Sequence, residues 1–120
     1  MKILTPAQHA PIDYAIVVAF AAAPSLFGFA GTPATLSYAL AAVHLALTVF
    51  SDFPGGLIKL IPFTVHGALE LVISVLLVAI PWVLGFAGQP AARNFYVTMG
   101  VAAFVVWLLT DYQSARTPRT

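Results

Sequence analysis

Four apolar runs divide the chain, from about Ile12 to Phe29, Ala34 to Phe50, Phe63 to Phe86 and Asn94 to Thr110, with polar and helix-breaking residues gathered between them. A bilayer core about 30 Å thick asks for about 20 apolar residues per helix, in a range of about 17 to 25. Each run meets that length, so the pattern predicts an all-α protein with four transmembrane helices. Pro24 stands inside the first run and Pro81 inside the third. Such prolines are accommodated in hydrocarbon where neighbouring groups re-satisfy the carbonyl they free. Gly31-Thr32-Pro33 and Gly88-Gln89-Pro90 read as short turns that fold each pair of runs into a helical hairpin. Ser51 to Pro62, with Asp52, Pro54, Gly55, Gly56 and Lys59, is a breaker-rich connection between the hairpins.

The hairpins read as two copies of one unit. Moving back 57 positions from His66, Glu70 and Pro81 reaches His9, Asp13 and Pro24. The same step carries the loop around Gly85, Phe86 and Gly88 onto Gly28, Phe29 and Gly31. Ser51-Asp52-Phe53 and Thr110-Asp111-Tyr112 match as closing strings. The expectation is a single domain over 1–120, with a first repeat over about 9–53, a linker over 54–62, a second repeat over 63–112 and a polar tail over 113–120. Since each repeat holds two spans, both start on the same side, and the repeat is parallel about an axis along the membrane normal.

Composition agrees with the pattern: 61% of residues are hydrophobic and 8% charged, against about 25% charged in an ordinary soluble domain. Cysteine is absent and the formal charge is +1, which removes disulfides and thiolate metal sites and gives no case for nucleic acid. Lys2, Lys59, Arg116 and Arg119 fall on one side of the four spans and Arg93 on the other, so both termini are expected in the cytoplasm. Met1 to Pro11 reads as part of a retained first segment rather than a cleaved signal.

Pro81-Trp82-Val83-Leu84-Gly85-Phe86 and the paired Gly-Phe-Ala-Gly turns resemble the SPW-repeat membrane proteins of bacteria and archaea, named for a Ser-Pro-Trp motif closing the first helix of each hairpin. Here Ile80 stands where Ser would lead, and the first copy reads Ala23-Pro24-Ser25 without Trp. The resemblance covers most of the chain. It implies a repeated two-helix fold in a cell (inner) membrane and supplies no catalytic residue. On the residues themselves, Pro24, Gly28, Phe29, Gly31, Pro81, Trp82, Gly85, Phe86 and Gly88 read as a turn-and-anchor device, with Trp82 and Phe86 at the outer interface. Ala15, Ala19 and Ala23, and Ala42 and Ala46, read as close-packing seams.

The ionisable residues carry the candidate chemistry, because a charge at mid-span costs about 2.5 to 3.5 kcal/mol on insertion scales. His9 with Asp13, and His66 with Glu70, are four residues apart and share a helix face. Each repeat is expected to place such a pair near the cytoplasmic surface, with Asp52 or Asp111 at a similar level. His44 lies in the second run, with Val101 as its counterpart 57 positions on. It reads as an isolated intramembrane histidine, about two turns from His66, either bonded to Thr48 or threaded with Asp52, His66, Glu70 and Ser74. Ligands of this kind suit Zn, Mn or Fe, although histidine precedes the acid here, unlike the Glu-x-x-His of di-metal bundles. The depth difference between His44 and His66 speaks against a bis-histidine haem.

Ser25, Ser37, Ser51, Ser74 and Ser114 carry no nucleophile signature, and no phosphate-binding glycine loop occurs. The first functional expectation is therefore a non-enzymatic assembly module in the lipid bilayer, joined to copies of itself or to another membrane protein, with no cofactor. The second is an oligomeric transporter or proton/cation pathway using His44, Glu70 and Asp13. The third is a metal- or haem-binding membrane protein.

Overall fold

The structure, a computed structural model, describes residues 2–113. Arg116, Arg119 and Ser114, and with them most of the expected tail, lie outside the described residues. Four helices make up the fold: α1 Pro6–Phe27, α2 Thr32–Val49, α3 Phe63–Val83 and α4 Pro90–Leu109. All four are long and apolar enough to cross a membrane.

The first helix begins earlier than the apolar pattern alone indicates. Thr5 accepts from the Gln8 amide at 3.1 Å while the Gln8 side chain accepts from the Thr5 amide at 3.0 Å, a capping box that starts α1 at Pro6. His9 and Asp13 are consequently one and two turns inside a helix. At the bends, Gly28, Gly31 and Gly85 adopt φ of 70°, 70° and 78°, the left-handed region that glycine enters without penalty. Pro24 and Pro81 are both buried within continuous helix.

Two short parallel pairings, absent from the sequence reading, fasten the hairpins to each other. The linker folds into β1 (Ser51–Asp52) and β2 (Ile61–Pro62), with Ser51 opposite Ile61. At the other junction Leu4 pairs in parallel with Thr110. The backbone bonds correspond: Ile61 N donates to Phe50 O at 2.8 Å, and Leu4 N donates to Leu109 O at 2.8 Å. Thus the start of each hairpin is clasped to the end of the other, which draws the first turns of α1 and α3 together.

Two apolar clusters lie above and below this junction. The larger joins Phe20, Phe29, Leu77, Phe86 and Tyr96 from both hairpins, with the Tyr96 hydroxyl donating to Pro33 O at 2.7 Å. Phe86 is therefore core, in edge contact with Tyr96 at 5.1 Å, and not the interface anchor expected of it; Trp82 is 60% exposed. The alanine seams also differ: Ala23 and Ala41 are buried, whereas Ala15, Ala42 and Ala46 face outward. The smaller cluster, Ala10, Phe53, Phe63 and Tyr112, closes the clasped end.

Candidate metal centre

Beneath that aromatic layer the two His/carboxylate pairs form one cluster instead of two. His9 Nε2 lies 2.9 Å from Asp13 Oδ1 of its own helix and 3.1 Å from Glu70 Oε1 across the interface. His66 Nε2 lies 3.3 Å from Glu70 Oε2 of its own helix and 3.1 Å from Asp13 Oδ2 across it. His9, Asp13 and His66 are fully buried, and Glu70 is 7% exposed. One ligand atom from each of the four falls within 4.8 Å of all the others.

The hydroxyls that close the hairpins fix the orientation of both rings. Thr110 donates its hydroxyl proton to Val106 O at 2.6 Å and so accepts from His9 Nδ1 at 2.9 Å. Ser51 donates to Leu47 O at 2.5 Å and so accepts from His66 Nδ1 at 2.7 Å. Each hydroxyl comes from the other hairpin. With the proton held on Nδ1, an uncharged ring turns its bare Nε2 lone pair inward, which is how outer partners prepare histidine to ligate a metal.

The Nε2 atoms face carboxylate oxygens: His9 Nε2 is within hydrogen-bond distance of Glu70 Oε2 at 3.3 Å and His44 Nε2 of Asp13 Oδ1 at 3.2 Å, but the third pair is not hydrogen-bonded. His66 Nε2 and Asp13 Oδ2 are buried and neither has a hydrogen-bond partner, although they stand 3.1 Å apart. At that distance it is alignment, not separation, that denies them a hydrogen bond. Donors about 2.0 to 2.2 Å from one first-row metal ion are separated by about 2.8 to 3.1 Å when cis and about 3.3 to 3.6 Å when tetrahedrally arranged. The five shortest nitrogen-to-carboxylate separations run from 2.9 to 3.3 Å. The donor set therefore fits a transition-metal ion.

His44 belongs to the same cluster. Its Nε2 is 3.2 Å from Asp13 Oδ1 and 3.8 Å from Glu70 Oε2, and its ring centroid is 6.4 Å from that of His66. This corrects the expectation of an isolated histidine two turns away. Asp13 and Glu70 are seven residues into their helices and His44 is five from the end of α2, depths of roughly 10 and 8 Å at about 1.5 Å per residue. Thr48 does not hold the ring either, since its hydroxyl donates to the His44 carbonyl at 2.8 Å. Its counterpart also changes. Ser51 and Thr110 are 59 positions apart, so in the second helices of the hairpins His44 matches Ala103 rather than Val101.

Other sequence candidates stand apart. Ser74 is buried but donates to Leu71 O at 2.7 Å, one turn above Glu70, so the proposed thread through it is not formed by that hydroxyl. Asp111 pairs its amide with Leu4 O at 2.9 Å and accepts from the Gln113 amide on Oδ1. Asp52 is half-buried in β1. The glycines and prolines of the turn device lie at the bends and within α1 and α3, remote from the cluster.

Tyr112 is the member of the cluster that the sequence reading missed. Its hydroxyl donates to Glu70 Oε1 at 2.7 Å, and burial, with the Glu70 carboxylate beside it, pushes the phenol well up from its ordinary range. It stays a neutral donor. Gly67 makes this approach possible, because a Cβ there would lie 2.8 Å from the Tyr112 ring. The matching residue in the first hairpin is Phe53, which stacks on Phe63 at 4.6 Å and offers no hydroxyl.

Compared with known protein families, curated proteins and solved structures, the chain matches none. The resemblance to SPW-repeat proteins accordingly rests on the quoted residues alone.

Proposed function

We propose that this chain is a multi-pass membrane protein whose two hairpins jointly hold one transition-metal ion, with His9, His66, Asp13 and Glu70 as ligands and His44 as a fifth donor beside them. The observation that carries the reading is the buried, unpartnered pair His66 Nε2 and Asp13 Oδ2 at 3.1 Å. A divalent cation balances the two carboxylates and leaves the buried cluster neutral, whereas two ionised carboxylates among uncharged histidines are costly in low dielectric. Imidazole-rich donor sets suit Mn, Fe, Co, Ni, Cu or Zn better than Ca or Mg.

This ranks the third of the sequence readings above the assembly module and the ion pathway. An assembly module has no need of five converging ionisable side chains. Haem is disfavoured within the same reading, because the His9 and His66 rings are 5.7 Å apart with both carboxylates reaching between them. The resemblance in the Pro-Trp and Gly-Phe-Ala-Gly segments supports a bacterial or archaeal cell membrane, and the side shared by Lys2 and Lys59 supports a cytoplasmic position for the clasped end.

The test is elemental analysis of detergent-purified protein, metal-stripped and then offered each first-row divalent ion in turn. One tightly held equivalent, lost in His9→Ala and in His66→Ala, is expected. No ion held above the level of the His66→Ala variant would overturn the reading.

A further inference from the structure

A cavity of about 30 Å³ reaches the cluster from the middle of the bundle, with Phe20, Leu40, Leu77 and Met99 in its walls and His44 and Glu70 as the polar residues lining it. It lies where the two hairpins face each other: Phe20 matches Leu77, Leu40 matches Met99, and His44 is matched by Ala103, which also lines it. The missing bulk at Ala103 is what leaves room opposite His44. Val43, 55% exposed on α2, contributes to the same lining, which sets one edge of the cavity against the apolar outer surface.

Size and lining together restrict what can enter. A water-sized occupant takes about 10 to 15 Å³ of such volume and needs two to four polar partners, so the space suits a molecule of two or three heavy atoms. An ion would be stripped of hydration against aliphatic walls. Water finds only His44 and Glu70, which are already engaged with Asp13, His9 and Tyr112. A neutral diatomic that hydrogen-bonds weakly and dissolves in hydrocarbon meets none of these penalties.

We propose that this cavity is the route by which a small neutral diatomic molecule, of the dioxygen or nitric oxide class, reaches the metal centre, with Ala103 keeping the route open opposite His44. The inference rests on the metal reading above and concerns access and binding alone.

The experiment loads the full chain with Fe(II) under anaerobic conditions, measures iron content, and then follows nitric oxide binding by electron paramagnetic resonance and stopped-flow absorbance. Wild-type protein is expected to form a nitrosyl adduct. Ala103→Leu, at a half-buried position, is expected to keep its iron and bind nitric oxide at least tenfold more slowly, while Ala103→Gly binds faster than wild type. An iron-loaded wild type that forms no adduct, or rates indifferent to the residue at 103, would overturn the access route and leave the metal centre standing. Wild-type protein that holds no iron or other metal would instead remove the centre, and the route with it.

Discussion

His66 Nε2 and Asp13 Oδ2 lie 3.1 Å apart in the interior, on different hairpins, and do not hydrogen-bond to each other. The same two helices carry the reciprocal contact, His9 with Glu70. With the His66 ring uncharged, such a pair is costly, because an unsatisfied buried polar group costs about 1 to 3 kcal/mol, and more when charged; a proton on the ring or a cation beside it removes that cost.

Metal should stabilise the fold, since it binds a site that unfolding takes apart. At a free concentration a hundredfold above Kd, binding to the folded state alone adds about 2.7 kcal/mol. Thermal unfolding in detergent is expected to shift upward on metal addition and back with chelator, and His66→Ala is expected to abolish the shift. A midpoint indifferent to metal in the wild type would count against the site.

The hydroxyls that hold Nδ1 should tune affinity without being ligands. Removing an outer partner of a metal-bound histidine typically costs about 10- to 100-fold in affinity. Ser51→Ala and Thr110→Val are each expected to weaken binding in that range, read by competition with a chromophoric chelator. Unchanged affinity in both would mean that the rings are held by something else.

Tyr112→Phe copies the residue that the first hairpin already has at the matching place, Phe53, so its shape should be tolerated. What it loses is the 2.7 Å donation to Glu70. Hydrogen bonds to charged groups contribute about 1.5 to 3 kcal/mol, and metal-free Tyr112→Phe is expected to lose about that much stability against denaturant. A variant as stable as the wild type would show that Glu70 is satisfied without it.

Gly100→Ala tests the packing away from the centre. A Cβ at Gly100 would lie 2.7 Å from Val78 Cγ2 and 2.8 Å from Ser74 O, the latter backbone that cannot step aside. Overpacking of this kind costs about 1 to 3 kcal/mol. Lower stability with metal stoichiometry retained is expected; loss of metal alone, with stability intact, would contradict the assignment of Gly100 to the α3 and α4 seam.

The helices were legible because four apolar runs separated by Gly and Pro leave few alternatives, and the i, i+4 spacing made His9/Asp13 and His66/Glu70 visible as pairs. Their merger into one cluster was not legible, since it depends on the clasps Leu4 with Thr110 and Ile61 with Ser51, which are short backbone pairings without a side-chain signature. Helix register sets His44 about two turns from His66, but what it meets across the bundle is the pair of carboxylates, Asp13 and Glu70, about two turns inside α1 and α3. The second hairpin is also two residues longer than the first from its leading histidine to its closing hydroxyl, so a fixed offset of 57 named the wrong counterpart. The strings Ser51-Asp52-Phe53 and Thr110-Asp111-Tyr112 did hold the missing signal. It lies in the hydroxyls and in Tyr112, which point inward, rather than in the acids between them.

The most direct measurement is X-ray absorption at the K-edge of the metal bound to purified protein. The account predicts one ion per chain, with two or three imidazole nitrogens and carboxylate oxygens at about 2.0 to 2.2 Å and imidazole scattering reduced in His9→Ala or His66→Ala, to whatever extent those variants retain metal. A shell of oxygens without imidazole, or an edge far weaker than one ion per chain, would contradict it.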